Sequence, residues 1–197
     1  MISNEHKTIF IHIPKNAGTS VKGIFSKEHE RPFPHKTIHE IKEKYPREYN
    51  SYKKFAVVRN PYDRMVSWYA FQKRFRMTND LIRTYEYNSN THSYNVVSIE
   101  KADIDGFRNW WGDQFDLFNK DRLLNPQHTW VDETVNILKY ENLNEELSNF
   151  FEKKIKLPIT NETSRHDILD YYDQRSLDIV YDRYREDFEK FNYERKI

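Results

Sequence analysis

The chain has no cysteine among its 197 residues. Disulfides, thiolate metal sites and cysteine nucleophiles are excluded with it. It also lacks an excess of either charge: 32 Lys+Arg against 31 Asp+Glu leave a net charge of +1. Broad electrostatic capture of nucleic acid or of an anionic membrane therefore finds no support, although local clusters can still form. No apolar run approaches the length of a membrane span. The opening Met1-Ile2-Ser3-Asn4-Glu5-His6-Lys7 lacks the combination of charged n-region, long h-region and small-residue cleavage site. The expectation is a soluble cytoplasmic protein without a transmembrane segment. Internal repeats and low-complexity tracts are missing too, so one domain over 1–197 is the economical division.

Aromatic residues are plentiful, at 16% with 14 Tyr and 13 Phe. They serve first as core, and they also suit a groove for sugars or aromatic acceptors. Thr8 to Ile13 reads as a buried strand ended by Pro14. Thr19 to about Lys27 reads as a helix with Val21, Ile24 and Phe25 on one face. Strand, loop, helix at the start points to an α/β fold. Further on, the pattern predicts a short helix over Thr37 to Lys44 and a strand over Phe55 to Val58. A helix then opens at Pro61. A third strand is expected over Val135 to Tyr140, with helices over Glu141 to Lys153 and over 175–191. Residues 78–103 are rich in Asn, Thr and Ser without period and read as a mobile loop on the acceptor side. Residues 104–118, with Trp110 and Trp111, read as helical despite Gly112.

Pro14-Lys15-Asn16-Ala17-Gly18-Thr19-Ser20 lies between the first strand and its helix. Backbone amides and the helix start favour an anion there. Gly18 allows close approach, Thr19 and Ser20 add hydroxyls, and Lys15 adds a charge. The loop is not G-x-x-x-x-G-K-[ST], because Lys15 precedes its only glycine. The second strand ends in Arg59 rather than in an acid for Mg²⁺. Glu141, after the third strand, is the one acid that could be offered instead. A Gly-Thr-Ser turn that merely caps a helix remains the plain alternative.

A second anion site follows the second strand. Arg59 stands at its carboxyl end, the usual ligand edge of an α/β sheet, and Ser67 sits in the helix opened by Pro61. An arginine fork there can grip a phosphate bidentately. Ser67 can equally be a solvated helical serine. Arg64 either helps or pairs with Asp63 or a glutamate. Two phosphate elements on adjacent strands imply a nucleotide charged at both ends.

Phe10-Ile11-His12-Ile13-Pro14-Lys15-Asn16-Ala17-Gly18-Thr19-Ser20 resembles the 5′-phosphosulfate loop of the PAPS-dependent sulfotransferases, specifically the carbohydrate-type group with short bacterial members. Asn16 departs from their common Thr. Phe55-Ala56-Val57-Val58-Arg59-Asn60-Pro61-Tyr62-Asp63-Arg64-Met65-Val66-Ser67 resembles their 3′-phosphate motif. Asn125 to Trp130, Lys139 to Leu143, Asn161 to Arg165 and Tyr184 to Tyr193 extend the likeness more weakly. The resemblance implies a single-domain, P-loop-like α/β fold with a central, mainly parallel sheet flanked by helices. It also implies PAPS (3′-phosphoadenosine 5′-phosphosulfate) as co-substrate, PAP as product, no required metal, and a hydroxyl acceptor, here a carbohydrate. Many members are Golgi-anchored, and no anchor is read here.

In that frame Lys15 serves the leaving oxygen, and Asn16, Ala17, Gly18, Thr19 and Ser20 hold the 5′ end. Arg59 and Ser67 hold the 3′-phosphate, with Ser164 and Arg165 near the nucleotide. His35, before the second helix, is the expected general base. His39, one turn on, is the second choice; His128 and His166 stand behind them, and His12 reads as a strand residue. Gln127 is expected to orient acceptor or cofactor. Trp110, Trp111 and Trp130 are read as core before stacking platforms. The competing readings are a small-metabolite kinase needing Mg²⁺ and a non-catalytic PAPS or PAP sensor.

Overall fold

The computed structural model describes residues 1–25, 35–75, 85–88, 93–96, 107, 122–157 and 167–195, without side-chain detail for 72–75, 85–88, 93–96 and 169. In chain order the elements are β1 (Ile2–Ser3), β2 (Thr8–Ile11), α1 (Gly18–Lys22), α2 (Ile38–Lys44), α3 (Pro46–Ser51), β3 (Lys53–Val58), α4 (Pro61–Phe75), β4 (Tyr85–Asn88), β5 (Ser93–Val96), β6 (Asn136–Lys139), α5 (Leu143–Phe151) and α6 (Gln174–Lys190). The main sheet runs β1-β2-β3-β6. Its β1–β2 pair is antiparallel, and β2–β3 and β3–β6 are parallel.

Every residue of β2 is buried, as a parallel strand covered on both faces requires. The period of two sorts the strand residues. Ile9, Ile11, Ala56 and Val58 pack with Ile38, Ile41, Tyr49 and Trp130 on one face. Phe10, Phe55, Val57 and Leu138 pack with Val21, Leu143 and Leu147 on the other. A third cluster joins α4 to α6 through Tyr62, Met65, Tyr69, Val180, Tyr184 and Phe188. The result is the expected α/β arrangement, with a mostly parallel sheet between helices.

Local sequence sets the helix starts. Thr37 caps α2 in a reciprocal box with Glu40, and Asp173 does the same for α6 with Ser176. Each cap contributes about 1 kcal/mol. Pro61 is the first residue of α4, where its missing N–H costs nothing.

Two expectations change. The first helix ends at Lys22, not near Lys27, and Gly23 makes the turn that closes it. The stretch read as a mobile loop over 78–103 holds a two-stranded antiparallel ribbon, with Tyr85 opposite Val96 and Tyr87 opposite Tyr94. Tyrosine and valine favour a pleated surface, and the surrounding Asn and Ser hid that signal. Strand β1 and helix α3 were not read at all, being too short to show a period. Trp110 and Trp111 lie outside the described residues; nearby Phe107 is fully buried in the third cluster. No helix among the described residues is long and apolar enough to cross a membrane.

Candidate active site

Strands β2, β3 and β6 are parallel neighbours, pairing Ile11 with Ala56 and Val58 with Lys139. Their carboxyl ends therefore lie along one edge, and the segments after them emerge together. Those segments are Ile13 to Ser20, Arg59 to Ser67, and the tight turn Tyr140–Asn142.

The first segment is bent by two left-handed residues, Lys15 (φ 69°) and Ala17 (φ 57°). Neither is glycine, so each costs about 1–2 kcal/mol that the surroundings must offset. Three buried side chains hold the bend from beneath. Asn16 donates to the Val57 carbonyl at 2.7 Å. Arg59 Nη1 donates to the Lys15 carbonyl at 3.1 Å, and Arg64 Nε to the Pro14 carbonyl at 3.2 Å. Because α1 spans only Gly18–Lys22, its dipole adds little. Any anion here rests on loop amides and side chains. The Lys15 ammonium stands 4.2 Å from the centre of the Phe71 ring, a cation–π seat. Thr19 is exposed and Ser20 half-buried.

Arg59 leaves β3 into a built setting. Its Nε pairs with Asp63 at 2.5 Å, and its guanidinium stacks 4.0 Å above Tyr140. Only 5% of it is exposed. Asp63 thus pairs with Arg59, not Arg64. Arg64 instead donates to the carbonyls of Pro14, Leu123 and Asn125. Burial pulls its guanidinium below the ordinary value. Ser67 is half-buried on α4. Glu141 accepts the Asn60 N–H at 2.9 Å and the Tyr193 hydroxyl at 3.0 Å.

Gln127, expected at the acceptor, has no exposed surface. Its Oε1 accepts from Asn16 Nδ2 at 2.6 Å and from the Arg59 N–H at 3.0 Å. Its Nε2 donates to the Arg59 carbonyl at 2.9 Å. The amide is engaged between the two loops, on Asn16 and on both backbone groups of Arg59. Asp187 of α6, also wholly buried, accepts the backbone N–H of Gln127 at 2.7 Å and of His128 at 2.8 Å. His128 closes this arrangement through Nδ1 to Asp187 at 2.9 Å. That hydrogen bond, working against burial, raises the His128 imidazole above its ordinary range.

The histidines separate by position. His12 follows β2 on the face of Phe10, and their rings stack at 5.7 Å. It fills the space above Gly18: a Cβ there would meet His12 Nε2 at 1.7 Å. The missing side chain of Gly18 makes room for this ring. His35 lies against His12, ring centres 4.4 Å apart, and its Nδ1 is 3.1 Å from the His12 carbonyl. A carbonyl only accepts, so Nδ1 carries a proton in this contact, and whenever the ring is neutral Nε2 presents the lone pair. His39 is exposed on α2, near Asp132. His166, Ser164 and Arg165 lie outside the described residues. Trp130 is fully buried as core.

His12 is pushed down to about 3, first by burial, then by the charges of His35, the amino terminus, Lys15 and Lys22. A histidine neutral in the fold but ordinary when unfolded makes the unfolded chain bind more protons. Its stabilisation is complete above the ordinary 6.5 and is lost as pH falls toward about 3. His128, being raised, acts with the opposite sign: its contribution is present at low pH and fades as pH rises through its folded value. Denaturant unfolding should show wild type losing up to about 1.4 kcal/mol per pH unit more than His12→Asn across that window. Parallel curves for the two proteins would exclude a His12 that stays neutral in the fold.

Sequence reading missed the partners that make the cations usable: Asp63 and Tyr140 around Arg59, and Phe71 beneath Lys15. Only Asp63 left a signal, four residues after Arg59. Among the described residues no group of three or more His, Asp and Glu gathers to hold a metal ion.

The family model described as the sulfotransferase family matches residues 1–130. No curated protein and no solved structure gives a significant match. The matched span is well over half of the 197 residues and contains both loops, His35 and Gln127. A chain that builds two adjoining cationic loops within that span belongs to the sulfotransferase family, whose members transfer a sulfuryl group.

Proposed function

We propose that the chain transfers the sulfuryl group of PAPS to a carbohydrate hydroxyl, on one P-loop-like domain over 1–197. The observation that carries this reading is the junction of the two loops, where Arg59 Nη1 bonds the Lys15 carbonyl. A donor with an anionic group at each end matches two cationic loops fastened side by side. The donor set of Lys15, Thr19, Ser20, Arg59 and Ser67 is cationic or hydroxylic, which fits phosphate and sulfate oxygens. Asn16, Ala17 and Gly18 contribute through the loop backbone, and Ser164 and Arg165 complete the nucleotide side.

PAPS supplies the sulfuryl group when bound, and PAP is the product that leaves. Lys15 neutralises charge at the departing phosphate oxygen. His35 Nε2 takes the acceptor proton as the new O–S bond forms. The carbohydrate acceptor rests on the likeness of the loops to the carbohydrate-type group. Glu141, the acid a magnesium-dependent kinase would recruit, is engaged with Asn60 and Tyr193. That favours sulfuryl over phosphoryl transfer.

Calorimetry with PAP tests the donor. Wild type should bind PAP without metal and more tightly than Mg-ATP. Arg59→Ala should weaken PAP by at least about tenfold. It also strands Asp63, so Ser67→Ala serves beside it. Ser67→Ala should weaken PAP several-fold without moving Tm. A preference for Mg-ATP, or a Ser67→Ala protein that binds PAP as wild type does, would count against the donor assignment.

A further inference from the structure

We infer that Gln127 is a positioning residue that couples the two anion loops, so that occupation of one loop prepares the other. This rests on the donor reading above and goes beyond it. Gln127 has no exposed surface, so it acts through other groups. Its Oε1 holds Asn16 at 2.6 Å, in the middle of the first loop. The same oxygen accepts from the Arg59 N–H at 3.0 Å, and Nε2 donates to the Arg59 carbonyl at 2.9 Å. Both backbone groups of the second loop's cation are therefore set by the amide that sets the first loop. Asp187 fixes Gln127 in turn through its N–H at 2.7 Å.

The physical consequence is cooperative. Asn16 is anchored between the left-handed residues Lys15 and Ala17 and so helps to hold their backbone. An anion on Arg59 that orders Arg59 also orders Gln127, and through it Asn16. The ordering cost of the first loop is then already met when the 5′ end arrives. No other described side chain bonds both Asn16 and Arg59. Arg59 reaches the loop through one Nη1 bond to Lys15.

The test uses three ligands: PAP, 3′-AMP and 5′-AMP. The product of the two single-phosphate Kd values, divided by the Kd of PAP, measures how far the ends help one another. Calorimetry on wild type and Gln127→Leu gives that ratio for each. Asn16→Ala, which cuts one arm, serves if the leucine variant does not fold. Coupling through Gln127 predicts that the ratio falls by at least about fivefold in the folded variant. A merely structural lesion would weaken all three ligands without that loss of mutual help. A ratio within about fivefold of wild type, with PAP still bound by wild type, overturns the inference alone. Wild-type protein that binds none of the three overturns the donor reading and this inference together.

Discussion

His35→Ala is expected to lower kcat by about 10²- to 10⁴-fold while leaving PAP affinity within about threefold. The expectation comes from the orientation of one ring. Its Nδ1 lies 3.1 Å from the His12 carbonyl, which leaves Nε2 as the proton acceptor. Residue 35 lies beside the first loop through His12, whose ring rests on Gly18. On the proposed reading a base in that place would serve an acceptor hydroxyl, not the nucleotide, so kcat and donor binding should separate. His39→Ala is the matched control, since His39 is exposed on α2 beside Asp132. Single-turnover rates with saturating donor are the measurement. Equal losses in both variants, or a loss confined to His39→Ala, would remove His35 from the role.

Gly18→Ala should cost about 3 kcal/mol or more of stability and most of the activity. The new Cβ would stand 1.7, 2.1 and 2.5 Å from three atoms of the His12 ring. No shift of a few tenths of an ångström relieves that. The ring is hemmed in by Phe10 at 5.7 Å and His35 at 4.4 Å, so displacement reaches the base. The double variant His12→Ala/Gly18→Ala should recover much of the stability, because the obstructing ring is gone. It should not recover full activity, because His35 loses its neighbour. Chemical denaturation of the four proteins in this cycle gives the coupling directly. Additive effects would mean that His12 does not occupy the space above Gly18.

Much of this site was legible because it is local. Lys15, Thr19 and Ser20 lie in one stretch, and Arg59 and Ser67 in another, each after an apolar strand. The period of two even placed His12 opposite Ile11 and Ile13. It could not say that His12 would lie on Gly18, because that depends on where α1 begins. Gln127 shows the limit more sharply. It contacts Asn16 across 111 positions and Asp187 across 60. A buried amide joining loops so far apart leaves no spacing to read, so a polar residue was assigned to the ligand. The ribbon of β4 and β5 was missed for a different reason: in its eight residues tyrosine is the main strand former, scattered among polar neighbours.

The distances along the chain that hid Gln127 also govern when the site can exist during synthesis. Both loops have been made once Ser67 is added, and the family match ends at residue 130. Strand β6, at Asn136–Lys139, comes later, and Asp187 later still. Until α6 has left the ribosome, the segment carrying Gln127 lacks the carboxylate that receives its N–H groups. The nascent chain thus carries both cationic loops well before it can lock them together. On the proposed reading, donor binding waits for α6 and is not a property of the growing amino-terminal part alone.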